Sequence, residues 1–194
     1  MKEKGLIFII SAPSGTGKTT VINEFLKKHK KDFVLSISVT TRKPRINEKD
    51  GRDYYFISKE KFKEYIKKNK FLEYAKILDN YYGTLKSTVL KSINRGLNVI
   101  MDIDVQGAAK IRKKVQKCIT IFLKPPSLEE LKNRLFKRKT ETKKEALRRI
   151  QLAKKELKEQ KKYDYIITNK DINDTVAVLE AIYKFERFKT KFTN

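Results

Sequence analysis

The sequence predicts an α/β protein whose parallel β-sheet is flanked by helices. Five short, strongly apolar segments alternate with helical patterns, and strands connected in this way form parallel sheets with right-handed crossovers. A glycine-rich loop directly follows the first apolar segment, and a later segment ends on the carboxylate of Asp102. The chain of 194 residues is long enough for one well-buried core and too short for two independent domains of ordinary size.

Each predicted strand is a nearly continuous apolar run, which is typical of a parallel strand that is covered on both faces. The five strands are predicted at residues 6–11, 34–39, 99–102, 119–123 and 165–167. Helices are predicted at 18–29, at 85–95 before Gly96, after the capping boxes Ser127/Glu130 and Thr142/Glu145, and after residues 171–174. We expect the last helix to turn four side chains inward: Val176, Leu179, Ile182 and Tyr183.

Residues 36–92 differ in texture from the rest of the chain and predict a small α+β insert. They combine a turn at 47–51, a tyrosine-rich segment at 54–57, a helix with Phe62, Tyr65 and Ile66 on one face, and a strand at 71–77. Residues 1–35 and 93–194 then form the core domain.

The loop after the first strand has the residues of a phosphate-binding P-loop, A-P-S-G-T-G-K-T-T. Gly15 and Gly17 allow backbone N–H groups to turn toward phosphate oxygens, and the following helix directs its positive N-terminus at the same anion. Lys18 would reach the terminal phosphates of a nucleoside triphosphate, and Thr19 would reach a magnesium ion. The expected ATP-binding residues of the loop are therefore Ala12, Pro13, Ser14, Gly15, Thr16, Gly17, Lys18, Thr19 and Thr20.

Ala12 stands where the strict loop pattern has glycine. Alanine tolerates most backbone conformations with negative φ, so we expect the loop to keep its function.

Asp102 is a candidate magnesium ligand, because a carboxylate at the end of an apolar strand is a common partner of a P-loop. Ligands of parallel sheets bind beyond the carboxyl ends of the strands, where both the loop and Asp102 are expected. A turn or helix-cap role is the alternative for this residue.

Arg42 and Arg45 lie three residues apart across Pro44 and could clamp a phosphate from a stiffened loop. The alternative is a solvated basic loop, although arginine is scarce in this lysine-rich chain. The hydroxyl groups of Tyr54 and Tyr82 could bind the same anion, or the two rings could pack within the insert.

The formal net charge of +24 does not by itself indicate nucleic-acid binding. Lysines are spread over nearly every segment and alternate with glutamates, as on solvated helix faces, and no nucleic-acid recognition motif accompanies them. One cysteine, Cys118, and one histidine, His29, exclude an internal disulfide framework and a zinc set of nitrogen and sulfur ligands. No apolar stretch is long enough to span a bilayer and the first residues do not look like a leader, so we expect a cytoplasmic protein with no membrane partner.

Several motifs together resemble guanylate kinases, from about Gly5 to Asn169. In order, they are S-A-P-S-G-T-G-K-T-T, S-V-T-T-R-K-P-R, G-R-D-Y-Y-F, F-L-E-Y-A, N-Y-Y-G-T, V-I-M-D-I-D-V-Q-G and R-K-T-E-T. The resemblance implies a Mg²⁺-dependent kinase that moves the γ-phosphoryl group of ATP to GMP. It also implies that residues 36–92 are a GMP-binding insert and that residues 134–150, within the core, are a lid.

The same resemblance assigns site residues position by position. It implies that guanine is held by Ser38, Glu73, Thr84 and Asp104, and the GMP phosphate by Arg42, Arg45, Tyr54 and Tyr82. It implies catalytic roles for Lys18, Arg42 and the lid-region arginines Arg134, Arg138 and Arg149, and a position near the ATP base for Asn169. Lys139 replaces a glycine that is frequent in the family's lid, which could stiffen this segment.

The assignment of Glu73 is chemically sensible. Guanine presents N1–H and its 2-amino group as neighbouring donors that one carboxylate can accept, whereas adenine would place an acceptor there. Salt bridges to Glu130 and Glu145 are the alternative roles of Arg134 and Arg149.

Three other functions remain open at this point: a non-catalytic scaffold that binds phosphopeptides, a kinase of a phosphorylated sugar, and a polynucleotide-associated ATPase. The intact Gly17, Lys18 and Thr19 argue against the scaffold, and Glu73 with Thr84 favours guanine over a sugar. The ATPase is suggested by charge alone and predicts turnover that polynucleotide stimulates. A homo-oligomer stays open.

Overall fold

The computed structural model describes residues 4–136 and 143–192. Its strands are β1 Ile7–Ser11, β2 Phe33–Ser36, β3 Val39–Thr40, β4 Tyr55–Phe56, β5 Phe71–Ile77, β6 Asn80–Leu85, β7 Asn98–Asp102, β8 Ile119–Lys124 and β9 Tyr165–Thr168. Its helices are α1 Lys18–Lys28, α2 Lys59–Lys67, α3 Lys86–Asn94, α4 Val105–Lys114, α5 Leu128–Phe136, α6 Lys143–Lys158 and α7 Ile172–Phe192, with a short 3₁₀ helix at Glu159–Lys162.

A five-stranded sheet has the strand order β2-β7-β1-β8-β9. The pairs β2 with β7 and β8 with β9 are parallel, and strands β1 and β8 are almost completely buried. Continuous apolar runs therefore form a parallel sheet between helices, and the predicted fold class is confirmed.

The chain divides into two compact units. The first contains the residues through Ile9 together with Lys31–Cys118. Within it, β2 and β7 run in register from Phe33 opposite Asn98 to Ser36 opposite Met101. The N–H of Val99 donates to the carbonyl oxygen of Leu6 at 2.8 Å, which joins β7 to the start of the chain.

The first unit also contains a second sheet, of order β4-β3-β6-β5. Val39, Phe62 and Phe71 form its buried centre, and the rings of Phe62 and Phe71 stack with their centroids 4.5 Å apart. Helix α2 begins after Ser58, whose hydroxyl accepts a hydrogen bond from the N–H of Lys61. This apolar centre fixes the sheet that carries several of the predicted site residues.

The second unit comprises Ile10–Lys30 and the chain from Ile119 onward. Helices α1 and α7 pack against each other, and α5 packs on α6. The α5–α6 contact is apolar and consists of Leu131, Leu135, Ile150 and Ala153. The predicted inward side chains of α7 are buried: Val176, Leu179, Ile182 and Tyr183.

One predicted strand is wrong, because the apolar run 34–39 belongs to two sheets. Strand β2 ends at Ser36, and Val39 pairs with Tyr55 and Gly83 in the second sheet. Ser36 and Ser38 alternate with apolar residues in this run, and such an alternation is also compatible with one continuous strand, so the local pattern does not mark the break.

Strand β6 and helix α4 were not predicted. Strand β6 contains polar residues and Gly83, and its pairing with β5 rather than its apolar content makes it a strand. Helix α4 begins after Asp104, whose side chain accepts a hydrogen bond from the N–H of Gly107 at 2.9 Å and so caps the helix. This cap was not recognised in the sequence because Asp102, two residues earlier, was assigned to the end of the strand.

Other predicted boundaries are confirmed. Helix α3 ends before Gly96, whose φ is +82°, and the Ser127 hydroxyl accepts the N–H of Glu130 at 3.0 Å. The second predicted capping box, Thr142 with Glu145, falls outside the described residues and side chains. Within the described ranges, no helix is long and apolar enough to cross a membrane.

Candidate active site

The glycine-rich loop between β1 and α1 is a tight turn closed on itself. The backbone N–H and the hydroxyl of Thr16 both donate to the carbonyl oxygen of Pro13, at 3.2 and 2.7 Å. Gly15 and Gly17 have φ values of +91° and +92°, which other residues rarely adopt. A Cβ atom at Gly17 would also lie 2.9 Å from Nδ2 of Asn169. Both glycines are therefore required by the shape of the loop.

The N-terminus of α1 is suited to an anion. Its N-cap, Gly17, contributes no side-chain hydrogen bond, and the first turn, which is fully described, carries no acidic residue. The first N–H groups of a helix have no partner within the helix and lie at its positive end. Lys18 opens this turn and Thr19 is exposed beside it.

Ala12 adopts an ordinary backbone conformation. Among the described residues, the non-glycine residues with positive φ are Asn47, Asn69 and Leu78. The position therefore does not require glycine here.

Two predicted arginines reach the loop. Arg134 donates from Nη1 to the carbonyl oxygen of Thr16 at 3.4 Å and also pairs with Glu130 one turn earlier on α5. Arg149 on α6 donates from Nη1 to the hydroxyl of Ser14 at 2.9 Å. The expected helix-surface pair of Arg134 thus exists together with a loop contact. Arg138, the third arginine of this set, lies outside the described residues.

Asn169 braces the loop from the end of β9. Its amide Nδ2 donates to the carbonyl oxygen of Thr16 at 2.7 Å, and its Oδ1 accepts from the hydroxyl of Thr175 at 2.8 Å. The side chain is buried, so both polar atoms of the amide are used inside the protein. Its predicted place near the ATP base stays a prediction.

In the first unit, Arg42 and Arg45 are organised by a carboxylate. Arg42 Nη2 donates to Oε1 of Glu48 at 2.8 Å, and the backbone N–H of Arg45 donates to Oε2 of the same residue at 2.7 Å. Burial lowers the pKa of Arg42, but the Glu48 carboxylate and Tyr82 outweigh it, and the pKa of Arg42 is raised. Burial raises the pKa of Glu48. The hydrogen bonds that Glu48 accepts from the Arg42 side chain and the Arg45 backbone outweigh this effect, and the pKa of Glu48 is lowered. This segment therefore holds one firmly charged guanidinium in a fixed place.

Tyr54 and Tyr82 lie next to that guanidinium. The Arg42 Cζ atom is 5.5 Å from the Tyr54 ring centroid, and the rings of Tyr54 and Tyr82 meet edge to face at 6.0 Å. Burial, and then the charge of Asp102, raise the pKa of Tyr54 above its ordinary value. The Tyr54 hydroxyl is therefore a neutral hydrogen-bond donor beside a cation.

Glu73 is a buried carboxylate on β5, opposite Thr84 on β6. The Thr84 hydroxyl donates to Glu73 Oε1 at 2.8 Å, while a Cβ atom built at Gly107 would lie 2.7 Å from Oε2. Burial raises the pKa of Glu73 to about 7; the Thr84 hydrogen bond lowers it, the charge of Asp104 raises it and that of Lys110 lowers it. Such a carboxylate suits a ligand that brings its own donors.

The remaining predicted residues lie at or next to the ends of strands and helices. Ser38 is buried just before β3, and its carbonyl oxygen accepts the N–H of Tyr55 at 2.9 Å. Asp102 is the half-buried last residue of β7, and Asp104 caps α4. The assignments of Asp102 and Thr19 to magnesium stay predictions.

Glu48 and Gly107 were missed by the sequence analysis. Glu48 lies in a polar turn where nothing marks one carboxylate above its neighbours, and Gly107 looks like an ordinary glycine inside a motif. Their contacts with Arg42 and Glu73 depend on the folded chain.

The guanylate kinase family model matches residues 4–186. The chain is 47% identical to a guanylate kinase of Clostridium tetani over 185 residues, which covers 95% of this chain and 88% of the relative. It is 48% identical to one of Rickettsia felis over 189 residues, which covers 97% and 98%.

Two solved structures have a similar fold. The crystal structure of guanylate kinase from Anaplasma phagocytophilum has a TM-score of 0.82 and 32% identity, and covers 98% of this chain and 90% of that one. A shikimate kinase from Bacteroides thetaiotaomicron has a TM-score of 0.52 at 15% identity over 92% and 98% of the chains, and so shares the fold alone. The family match and the two relatives extend over nearly the whole sequence, and the chain therefore belongs to the guanylate kinase family.

Proposed function

We propose that this protein transfers the γ-phosphoryl group of ATP to GMP, giving ADP and GDP. The observation that carries the choice of acceptor is the buried carboxylate of Glu73, held by Thr84 and packed against Gly107. Family membership and the phosphate-binding loop support a nucleotide kinase.

Guanine fits this carboxylate because its N1–H and 2-amino groups are adjacent donors. Adenine would present the unprotonated N1 acceptor to the same oxygens, and a buried polar group left without a partner is costly. We propose that Ser38, Thr84 and Asp104 complete the guanine site. Its position within residues 36–92 would make that segment the GMP-binding insert.

The GMP phosphate would bind Arg42, Arg45 and the hydroxyl groups of Tyr54 and Tyr82. A phosphate can take two parallel hydrogen bonds from one guanidinium, and the rings beside Arg42 limit its freedom. The incoming anion would replace Glu48 as a partner of Arg42, which is already charged and placed.

The ATP phosphates would lie in the loop of residues 12–20. Lys18 and the first N–H groups of α1 would bind the terminal phosphates, and Arg134 and Arg149 approach the same loop. Asn169 would contribute to ATP binding by holding the Thr16 carbonyl. We propose that residues 134–150 form a lid and that Arg138 belongs to it.

The transfer itself needs no general base. A phosphate oxygen of GMP, already ionised, attacks the γ-phosphorus, and the bond from that phosphorus to the oxygen of the β-phosphate breaks. The task of Lys18 and the arginines is to align the two nucleotides and to neutralise the transferred group.

The side-chain oxygens of Thr19 and Asp102 are donors of the kind that Mg²⁺ prefers, so these residues would hold the ion. When bound, Mg²⁺ neutralises charge on the β- and γ-phosphates.

We propose ATP and GMP as the partners, in the cytoplasm, without a specific polynucleotide. Part of the lysine excess is paired with carboxylates on the surface, which argues against a dedicated polynucleotide site. Lys61 and Lys68, for example, both pair with Glu64 of α2.

Transfer of label from γ-³²P-ATP to GMP tests the function in the wild type and in two variants of α1. Lys18→Ala should lower kcat by at least about 10²-fold, because a donor to the transferred phosphate is lost. Lys27→Ala removes an exposed lysine paired with Glu24 and should leave kcat unchanged. Labelled ATP that gives inorganic phosphate but no labelled GDP would contradict the proposal.

A further inference from the structure

The strand that carries Glu73 is the outermost strand of its sheet. β5 pairs with β6 on one side, and its register shifts between Phe71 and Glu73. An edge strand leaves a row of backbone carbonyl groups without a strand partner. Contacts from outside the sheet therefore help to determine where Glu73 lies.

Helix α4 supplies these contacts through two lysines. Lys110 Nζ donates to the carbonyl oxygen of Tyr74, and Lys114 Nζ donates to that of Leu72 at 3.2 Å. The Lys110 ammonium also lies 4.8 Å from the centroid of the Tyr74 ring. The two carbonyl groups flank Glu73 in the chain, so both neighbours of this residue are attached to α4.

Gly107 lies one turn before Lys110 on the same side of α4. A Cβ atom there would be 2.7 Å from Glu73 Oε2 and 3.2 Å from Asp104 Oδ1. Only a residue without a side chain lets the carboxylate lie this close to the helix. The spacing 107, 110 and 114 is that of one helix face.

We propose that Gly107, Lys110 and Lys114 form a clamp that sets the position of the Glu73 carboxylate and thereby the preference for guanine. The proposal rests on the proposed function. The three are positioning residues, since the lysines hold the backbone on both sides of Glu73 and the glycine admits its carboxylate.

The position of the carboxylate matters because it must accept two donors at once. Inosine monophosphate has the N1–H of guanine but lacks the 2-amino group. A displaced carboxylate that still reaches N1–H would bind both nucleotides with similar strength. The ratio of kcat/KM for GMP to that for inosine monophosphate therefore reports the geometry of the clamp.

The test uses two changes of different chemistry. Lys110→Met with Lys114→Met removes the donors and keeps apolar stems, and Gly107→Ala adds one methyl group without changing charge. Lys113→Met, an exposed lysine of the same helix, is the matched control. Lys110→Arg with Lys114→Arg restores donors. Steady-state kinetics at pH 8.5, with urea unfolding, give kcat, both acceptor KM values, the ATP KM and the stability.

Each of the two changes should raise the KM for GMP by roughly five- to tenfold and lower the GMP preference. The kcat, the ATP KM and the urea midpoint should stay near those of Lys113→Met, and the arginine pair should recover most of the preference. If neither the methionine pair nor Gly107→Ala changes the GMP preference, the clamp is wrong. If Gly107→Ala lowers the preference and the methionine pair does not, the two lysines have no role in it.

Glu73→Gln separates this result from a failure of the proposed function. If Glu73→Gln loses the GMP preference while the clamp variants keep it, the clamp is wrong and guanine recognition stands. If Glu73→Gln also keeps the GMP preference, Glu73 does not bind guanine, and both the clamp and the proposed recognition of guanine by Glu73 are wrong.

Discussion

The carboxylate of Glu73 combines burial with a defined set of neighbours. Thr84 donates to one oxygen, Gly107 leaves room for the other, and Asp104 adds a second negative charge nearby. Burial opposes ionisation, so the pKa of Glu73 lies near 7 before a ligand binds. Guanine would supply the missing donors and favour the charged form.

Glu73→Gln should raise the KM for GMP by roughly 10- to 100-fold, because an amide cannot accept two donors as a carboxylate does. The KM for ATP should change less than about twofold. Steady-state kinetics with each nucleotide varied in turn measure this. Glu64→Gln, at a half-exposed glutamate on α2, serves as the control. An unchanged KM for GMP would refute the role of Glu73.

GMP binding should weaken as the pH falls below 7. The pKa of Glu73 is raised to about 7, so the carboxylate is ionised above that pH and protonated below it. If binding requires the ionised form, the dissociation constant rises about tenfold between pH 8 and pH 6.

Isothermal titration calorimetry measures this dependence. The GMP phosphate also titrates near pH 6, so Glu73→Gln serves as the reference that retains the phosphate effect. Parallel pH profiles of wild type and Glu73→Gln would be inconsistent with titration of Glu73.

Among the elements, the glycine-rich loop between β1 and α1 is held by side chains from three other segments. Arg134 of α5 and Asn169 after β9 both donate to the Thr16 carbonyl, and Arg149 of α6 contacts Ser14. The apolar contact of α5 with α6 fixes the two helices that carry the arginines. The shape of the loop therefore depends on residues more than one hundred positions away.

Asn169→Ala should destabilise the protein by about 1–3 kcal/mol, because the Thr16 carbonyl and the Thr175 hydroxyl lose a buried partner. We expect the KM for ATP to rise about tenfold, with little change for GMP. Urea unfolding and steady-state kinetics check both effects against Asn173→Ala, an exposed position on α7. Equal increases in the two KM values would argue against a role specific to the loop.

The strongest sequence predictions come from patterns that are local in the chain. Four of the five predicted apolar strands, the helix end before Gly96 and the cap at Ser127 are confirmed because each depends on neighbouring residues. Strand β6 and the break in the run 34–39 depend on pairing with distant strands.

The site residues also divide into those that a local sequence pattern marks and those that it does not. The loop is visible in the sequence as a motif with its own chemistry, whereas Glu73 would look like a surface carboxylate without the family resemblance. The contacts of Glu48, Gly107, Lys110 and Lys114 involve the folded backbone, and no local pattern marks them.

For the whole molecule, we propose that the net charge of +24 acts on the approach of substrates rather than on a macromolecular partner. A positive field raises the rate at which anionic nucleotides reach the protein, and salt screens it. Some of the lysines lie on solvated helix faces and pair with carboxylates there, as Lys27 does with Glu24.

Raising the salt concentration from 50 to 500 mM should lower kcat/KM for both nucleotides by about three- to tenfold, while kcat changes little. Initial-rate measurements over this range, with sucrose-matched controls for viscosity, test the dependence. Single-stranded DNA or RNA should not stimulate ATP turnover. Stimulation without GMP would instead indicate a polynucleotide-dependent ATPase.

The transfer of phosphate to GMP is tested by measuring ADP formation from MgATP with GMP, AMP, CMP, UMP or no acceptor, with the nucleotide products identified. GDP and ADP should form in equal amounts with GMP, and little ADP should form in the other four reactions. Equal turnover with AMP, or ADP formation that needs no acceptor, would contradict it.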